Sequence, residues 1–396
     1  MLDGNGAATE ALRLAKVQVV SSYPITPQSP IAEKLAGYVA DGTLKAKYIR
    51  VESEHSALSC AIGAQLTGVR TGTATSSVGL ALMHEVLGVA AGLRVPIMMP
   101  VVNRALVSPW SLWCDHQDAM AERDMGWMQF YTENAQEVLD MCLIAYHAAE
   151  DKRIQLPAMV CLDGFFLSHM TDAVIVPDQD KVDSFLPPFK PHNLMLDPEN
   201  PMFINDLTPS SEFTEMRYQQ QMGFNEALKI IPEILEKFAG AFGRMHYMIE
   251  PYHCDNAEAV LITLGSMSGT AKYVVDQLRR KGKRVGMVKI VSFRPFPAEM
   301  LRMYLQGVPR IGVIDRSVSL GAQAGPVCAE VRSALMGGET PVGSEIKGFI
   351  AGLGGRDISP ETLEKAFNIL LEAGPDTITD WLDVRDDAMF IREVRL

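Results

Sequence analysis

The chain has 396 residues, 47% of them hydrophobic and 21% charged, with a formal net charge of −12. That length suits two or three domains with ample core, and the acidic balance excludes nucleic acid and anionic membrane as expected partners. No leader-like start and no long apolar run is read, so neither export nor a membrane span is expected.

Gly4–Ala15 carries helical periodicity, and Val17–Tyr23 reads as a strand. The run Tyr23-Pro24-Ile25-Thr26-Pro27-Gln28-Ser29-Pro30 stops that strand, because its prolines fix φ and remove backbone donors. Thr26 or Ser29 can cap the next helix, Pro30–Ala40, with Pro27 or Pro30 at its first position. Such a corner aims a hydroxyl and free N–H groups at one spot, which suits a carboxylate; an ordinary capped helix start uses the same residues. Lys47–Val51 is a short strand leading into an Ala-rich helix, Ser53–Thr67. Thr71–Ser76 is a β-branched strand, Val78–Ala91 a helix, and Val95–Val102 a buried strand. Trp127–Tyr131 and Ala158–Leu162 read as strands around a helix at Ala135–Ala149. Alternating strands and helices with continuous apolar strands predict an α/β fold on a parallel sheet covered on both faces.

From Phe185 to Pro209 six prolines erase any period, so this segment reads as a surface-wrapping linker, with helical material over Ser211–Phe242. A second α/β unit opens with the strand Ala259–Thr263 and the helix Ser266–Lys281. It continues with strands at Arg284–Val291, Arg310–Ile314 and Ile346–Ala351 and helices at Ala322–Leu335 and Pro360–Leu371. The expected division is 1–184, a connection over 185–256, a second domain over 257–374, and a tail over 375–396 that can lie on a partner.

Six cysteines occur, at Cys60, Cys114, Cys142, Cys161, Cys254 and Cys328. None forms a Cys-x-x-Cys pair and none is read as sharing a segment with a metal-type histidine. An iron–sulfur cluster or structural zinc held by this chain alone is therefore not expected, and a reducing cytoplasm is the expected compartment. His84 and Glu85, inside an apolar helix, read as satisfied core polar groups, and His169 as structural. Gly352-Leu353-Gly354-Gly355-Arg356-Asp357 lacks dinucleotide and P-loop spacing and reads as a turn.

Several motifs follow one another in a specific order. After the Tyr-Pro-Ile-Thr-Pro corner come Val51-Glu52-Ser53-Glu54-His55-Ser56-Ala57 and Thr73-Ala74-Thr75-Ser76-Ser77-Val78-Gly79-Leu80. Then come Val102-Asn103-Arg104-Ala105, Asp115-His116-Gln117-Asp118, Leu162-Asp163-Gly164-Phe165 and Ser292-Phe293-Arg294-Pro295-Phe296-Pro297. Together they resemble the alpha subunits of the pyruvate:ferredoxin oxidoreductases, within the 2-oxoacid:ferredoxin oxidoreductases, over nearly the whole chain.

The resemblance implies a pyrimidine-type thiamine-diphosphate-binding domain followed by a domain like the transketolase C-terminal domain. It implies oxidative decarboxylation of pyruvate with coenzyme A (CoA), in either direction, with electrons passed to ferredoxin. In that family a glutamate bonds N1′ of the cofactor pyrimidine and favours its imino tautomer, so that the cofactor supplies its own base. The matching position is Glu54, which as a bare sequence feature is also a first-turn helix acid; Glu52 is assigned to solvent or a local pair. Thr26 and Arg104 match the substrate-holding positions, Arg104 being able to grip a carboxylate with two parallel bonds. Thr75, Ser76 and Gly79 fall where cofactor contact or simple capping would occur. Asp115–Asp118 is either an entrance lining or the first turn of a short helix, and Arg294 either a CoA contact or a structural arginine.

The chain has no Gly-Asp-Gly motif for diphosphate and Mg²⁺. The resemblance therefore places Mg²⁺ and [4Fe-4S] clusters in partner subunits, called beta, gamma and delta in the family, with the thiamine diphosphate shared with the beta subunit. A branched-chain 2-oxoacid in place of pyruvate, and a non-catalytic scaffold of the same fold, are the alternatives.

Overall fold

The computed structural model describes all residues except 193–194, 338–342, 373–378 and 386–396. In chain order the first elements are α1 (Gly4–Leu14), β1 (Val19–Ser22), α2 (Ser29–Ala40), β2 (Lys47–Arg50), α3 (Glu54–Leu66), β3 (Thr71–Gly72), α4 (Ser77–Leu82), α5 (His84–Gly92) and β4 (Met98–Asn103). There follow α6 (Gln117–Ala121), β5 (Met128–Tyr131), α7 (Ala135–Glu150), β6 (Ala158–Asp163), α8 (Gln179–Phe185), α9 (Phe213–Phe242), β7 (Ile249–Tyr252), β8 (Ala259–Leu264), α10 (Met267–Arg280), β9 (Val285–Ile290) and β10 (Ser292–Arg294). The described remainder forms α11 (Ala298–Leu305), β11 (Arg310–Asp315), α12 (Pro326–Met336), β12 (Glu345–Ile350), α13 (Pro360–Glu372) and β13 (Asp380–Trp381).

The chain forms two compact units. One comprises Met1–Glu250 with Ile290–Pro297, the other Pro251–Lys289 with the chain from Ala298 onward. The units therefore interleave, where the sequence suggested successive domains. The 185–256 segment contributes α9 to the first unit, and the Phe-Arg-Pro-Phe-Pro corner supplies β10 to the same unit. Of the proposed tail over 375–396, only residues 379–385 are among those described.

In the first unit β2, β1 and β3 pair in parallel. A parallel bridge from Thr75 to Val101, with Thr75 N–H donating to Pro100 O and Val102 N–H donating to Thr75 O, carries the sheet on to β4. Parallel β6 and β5 follow, then antiparallel β10 at the edge. The order is β2, β1, β3, β4, β6, β5, β10. Every residue of β4, β5 and β6 is buried, which is why these strands read as continuous apolar runs. Helix α7 is buried along most of its length, and Asn134 caps it by accepting from Glu137 N–H.

The path from β1 to β2 runs one way along the sheet, and the path from β2 to β3 returns past β1. The order thus reverses between β1 and β3, the kind of point at which open parallel sheets bind ligands outside the carboxyl ends of their strands. The second unit has the order β13, β12, β11, β8, β9, β7. Its core joins Leu261 and Met287 of the sheet to Val274 and Leu278 of α10 and Leu363 and Phe367 of α13. Among the described residues no helix is long and apolar enough to cross a membrane.

Local differences from the sequence reading have physical causes. The predicted helix Val78–Ala91 is two helices meeting at Met83, whose N–H bonds the carbonyls of Gly79 and Leu80. His84 and Glu85 are exposed rather than core residues. His84 Nδ1 lies 2.6 Å from Glu122, and Glu85 lies 3.8 Å from His55. Helix α2 is entered through Gln28, not Thr26 or Ser29, with no side-chain cap and with Pro30 in its first turn.

Candidate active site

The candidate site is built from what leaves the carboxyl ends of β1 to β4. After β1, the Thr26-Pro27 corner is pinned from three sides. Asn5 Nδ2 of α1 donates to Pro27 O at 3.0 Å. Gln28 Oε1 accepts from Ile25 N–H. Arg104 Nη1 donates to Thr26 O at 2.7 Å. The corner thus leaves Thr26 exposed and holds it directly beside Arg104.

After β2, Ser53 caps α3 by accepting from Ser56 N–H, which makes Glu54 the first helical residue. Glu54 is buried. Its carboxylate has no hydrogen-bond partner among the described residues. Glu52 is on the surface and accepts from Ser56 Oγ, the local pair assigned to it.

After β3 the chain runs through a row of hydroxyls. Thr73 Oγ1, Thr75 Oγ1 and Ser76 Oγ are buried without a hydrogen-bond partner among the described residues, as is Ser22 Oγ at the end of β1. Ser76 is the N-cap of α4, but its hydroxyl makes no capping bond. Gly79 gives Glu54 and Thr75 their space. A Cβ on Gly79 would stand 2.6 Å from Glu54 Oε1, 2.8 Å from Glu54 Cγ and 2.7 Å from Thr75 Oγ1. Ser77 sits at φ 48°, in the left-handed region, held by its N–H to Asp118 Oδ2 and its Oγ to Ala105 O.

Arg104 follows β4 and is 6% exposed, with its Nε unpartnered among the described residues. Burial lowers its pKa, while the nearby charges of Asp118 and Glu54 act to raise it. Glu54 and Thr75 therefore both border the space that Gly79 leaves open, Arg104 bonds the Thr26 carbonyl, and Glu54 lies within the electrostatic reach of Arg104. Ser76 joins them through the backbone alone.

The Asp115–Asp118 segment is resolved in detail. His116 precedes α6 without capping it, and Asp115 accepts from Gln117 N–H. Asp118 is 1% exposed and accepts four bonds, from Ser77 N–H, Arg104 N–H, Asn103 Nδ2 and Ala119 N–H, all between 2.8 and 3.0 Å. Burial pushes its carboxyl up to about 6, against those four bonds. The motif was visible in the sequence, but the convergence of two strand ends on Asp118 was not.

Arg294 stacks 4.6 Å over Phe293 and lies 3.6 Å from Asp124. Cys114, discounted from sequence as a neighbour of a metal-type histidine, does approach His116 and Asp163, with their ligand-type atoms within 4.8 Å of one another. His116 Nε2 and Asp163 Oδ1 lie 2.7 Å apart.

Glu54 and the hydroxyl row thus face the same space at the carboxyl ends of β2 and β3, and Arg104 stands beside Thr26 at the end of β4. Buried hydroxyls ordinarily have partners, and those of Ser22, Thr73, Thr75 and Ser76 have none among the described residues.

Ala is ordinarily favoured over Gly in a helix interior, so Gly79→Ala tests the space shared with Glu54 and Thr75 rather than the helix. The substitution is expected to lower turnover of the assembled enzyme by at least about tenfold through misplacement of Glu54. Far-UV circular dichroism is expected to stay unchanged.

Residues 10–236 match the family described as pyruvate flavodoxin/ferredoxin oxidoreductase, thiamine diphosphate-binding, and residues 257–363 match pyruvate:ferredoxin oxidoreductase core domain II. The chain is 45% identical over 388 residues to pyruvate synthase subunit PorA of Methanothermobacter thermautotrophicus, covering 98% of this chain and 99% of that one. It is 46% identical over 361 residues to ketoisovalerate oxidoreductase subunit VorA of Pyrococcus abyssi, covering 91% and 90%. Among solved structures, 2-oxoglutarate:ferredoxin oxidoreductase from Magnetococcus marinus superposes with a TM-score of 0.71 at 18% identity, over 94% of this chain and 65% of that one. A split-gene transketolase superposes at 0.54 and 13% identity, over 92% and 94%. Both likenesses bear on the fold, and they agree with an α/β thiamine-diphosphate architecture.

Proposed function

The chain belongs to the pyruvate:ferredoxin oxidoreductase family, and from that membership we propose that it forms the pyrimidine-binding side of a thiamine-diphosphate site in a multi-subunit enzyme. The reaction is oxidative decarboxylation of pyruvate: pyruvate and CoA give acetyl-CoA and CO₂, with one proton released and two electrons passed to ferredoxin. The observation that carries the reading is the buried, unpartnered carboxylate of Glu54 beside Thr75 and Gly79, at the point where the strand order reverses. Thiamine diphosphate, when bound, supplies the nucleophile and the electron sink for loss of CO₂.

The residues of this chain do the rest of the work on their side of the site. Glu54 holds the ring nitrogen of the pyrimidine and fixes its tautomer. Thr75 and Ser76 offer hydroxyls to the ring, and Gly79 keeps the space open. Arg104 binds the substrate carboxylate and orients the keto carbon, while Thr26 donates its hydroxyl to the same carboxylate or to the developing alkoxide.

The diphosphate, its Mg²⁺ and the iron–sulfur clusters belong to partner subunits, in keeping with the missing Gly-Asp-Gly motif. These partners are the beta, gamma and delta chains of the family, with a cytoplasmic complex as the setting.

The test is reconstitution. Purified alone, this chain is expected to show no pyruvate- and CoA-dependent viologen reduction. Anaerobic co-expression with its partner subunits is expected to restore it. Turnover by the chain alone, shown free of partners, overturns the division of labour.

A further inference from the structure

We propose that Asp118 is a positioning residue that fixes Arg104, and with it the binding of the 2-oxoacid carboxylate; this rests on the role given to Arg104 above. The argument is one of donor count and place. Oδ2 of Asp118 accepts Ser77 N–H at 2.9 Å and Arg104 N–H at 3.0 Å. That single oxygen ties the end of β4 to the start of α4. Oδ1 accepts Asn103 Nδ2 and Ala119 N–H, both at 2.8 Å, which anchors the clasp in α6 and one residue before Arg104.

Ser77 shows what the clasp holds. Its φ of 48° is disfavoured for a residue with a side chain, and such geometry persists where its surroundings over-determine it. Here both the N–H and the Oγ of Ser77 are tied down, to Asp118 and to Ala105 O. The turn carrying Thr75 and Ser76 and the backbone of Arg104 are thereby locked into one frame.

Only an ionised carboxylate presents acceptors in both directions. In Asp118→Asn, one of the two oxygens becomes an NH₂ group facing two N–H donors, and a buried pair of donors loses its acceptor. Where that group faces Ser77 and Arg104, their shared acceptor is lost; where it faces Asn103 and Ala119, the clasp loses its anchor one residue before Arg104. A misplacement of about 1 Å at a positioning group can cost roughly 100-fold in rate.

The experiment uses the assembled complex with Asp118→Asn. KM for pyruvate is expected to rise by roughly tenfold or more, while KM for CoA stays within about twofold, since misplacing one clamp acts on its own ligand. Binding of oxamate, an unreactive pyruvate isostere, followed by calorimetry, is expected to weaken by the same factor. Conservative Asp118→Glu keeps the charge and is expected to recover part of the affinity.

If Asp118→Asn does not assemble, Asn103→Ala removes one donor of the four and is expected to raise KM for pyruvate by a smaller factor. Unchanged pyruvate KM and oxamate affinity in a folded variant overturn the proposal. So does an equal loss toward pyruvate and CoA, which is the mark of a general structural defect. Failure of the wild-type complex to turn over any 2-oxoacid refutes the function itself, and oxamate binding then still reports on Asp118.

Discussion

In the assembled complex, Glu54→Gln is expected to lower pyruvate turnover by roughly 10²- to 10⁴-fold, the range associated with a positioned proton-handling group. The substitution keeps the shape of the side chain and removes only its charge and its capacity to hold a protonated ring nitrogen. Several features make this a clean experiment. Helix α3 is capped by Ser53 through Ser56 N–H, so the helix start survives the change. Glu54 makes no hydrogen bond to the described residues, and Gln keeps its packing against Gly79, so the change breaks no hydrogen bond within the fold. The thermal midpoint should therefore move little while activity collapses. Glu52→Gln is the control: that side chain lies at the surface and bonds Ser56 Oγ, and its loss should leave turnover unchanged. If Glu54→Gln retains turnover within about threefold, well below the effect of such a group, the carboxylate has no role at the cofactor and the chain is a scaffold.

Arg104→Lys is expected to raise KM for pyruvate by roughly 10- to 100-fold, in line with the loss of a bidentate, charge-assisted pair to a carboxylate. Lysine keeps the positive charge but presents a point donor where Arg104 presents a planar fork. It also loses the bond from Nη1 to Thr26 O at 2.7 Å, so the Thr26 corner loosens as well. KM for CoA should not follow, because the defect lies in the 2-oxoacid clamp. Stopped-flow kinetics under anaerobic conditions separates the two constants. A pyruvate KM within about twofold of wild type, far below what a lost bidentate pair would produce, would show that Arg104 serves the fold and not the substrate.

Much of this site was legible in the sequence because it lies at strand ends. The prolines after β1, the acid after β2, the hydroxyl row after β3 and the arginine after β4 are each visible locally, but their proposed roles came from the family resemblance, since alone they read as a first-turn acid, caps and an ion-pair arginine. The doubly covered parallel sheet turns local strand ends into a shared crevice. Other features depend on contacts across the chain, and no periodicity carries them. Asp118 lies 41 residues from Ser77, so its clasp appears only once the strands are paired. The antiparallel edge β10 belongs to the first unit although it is encoded after three strands of the second unit's sheet, β7, β8 and β9, which no composition shift marks. His84 and Glu85 were misjudged for a different reason. An apolar stretch suggested a buried helix, but the break at Met83 leaves both side chains at the surface.

Under the proposed division of labour, partner subunits share in setting the substrate. Relatives at similar identity include a pyruvate synthase subunit and a ketoisovalerate oxidoreductase subunit. The most direct test of the central claim is therefore kcat/KM of the partner-intact complex, purified anaerobically and assayed for CoA-dependent ferredoxin reduction. Pyruvate, 2-oxoisovalerate and 2-oxoglutarate would be compared side by side. The account predicts the highest kcat/KM for pyruvate. Preference for 2-oxoisovalerate would contradict the substrate and keep the chemistry. No reduction with any of the three, in a complex shown to contain thiamine diphosphate and iron–sulfur clusters, would contradict the function as a whole.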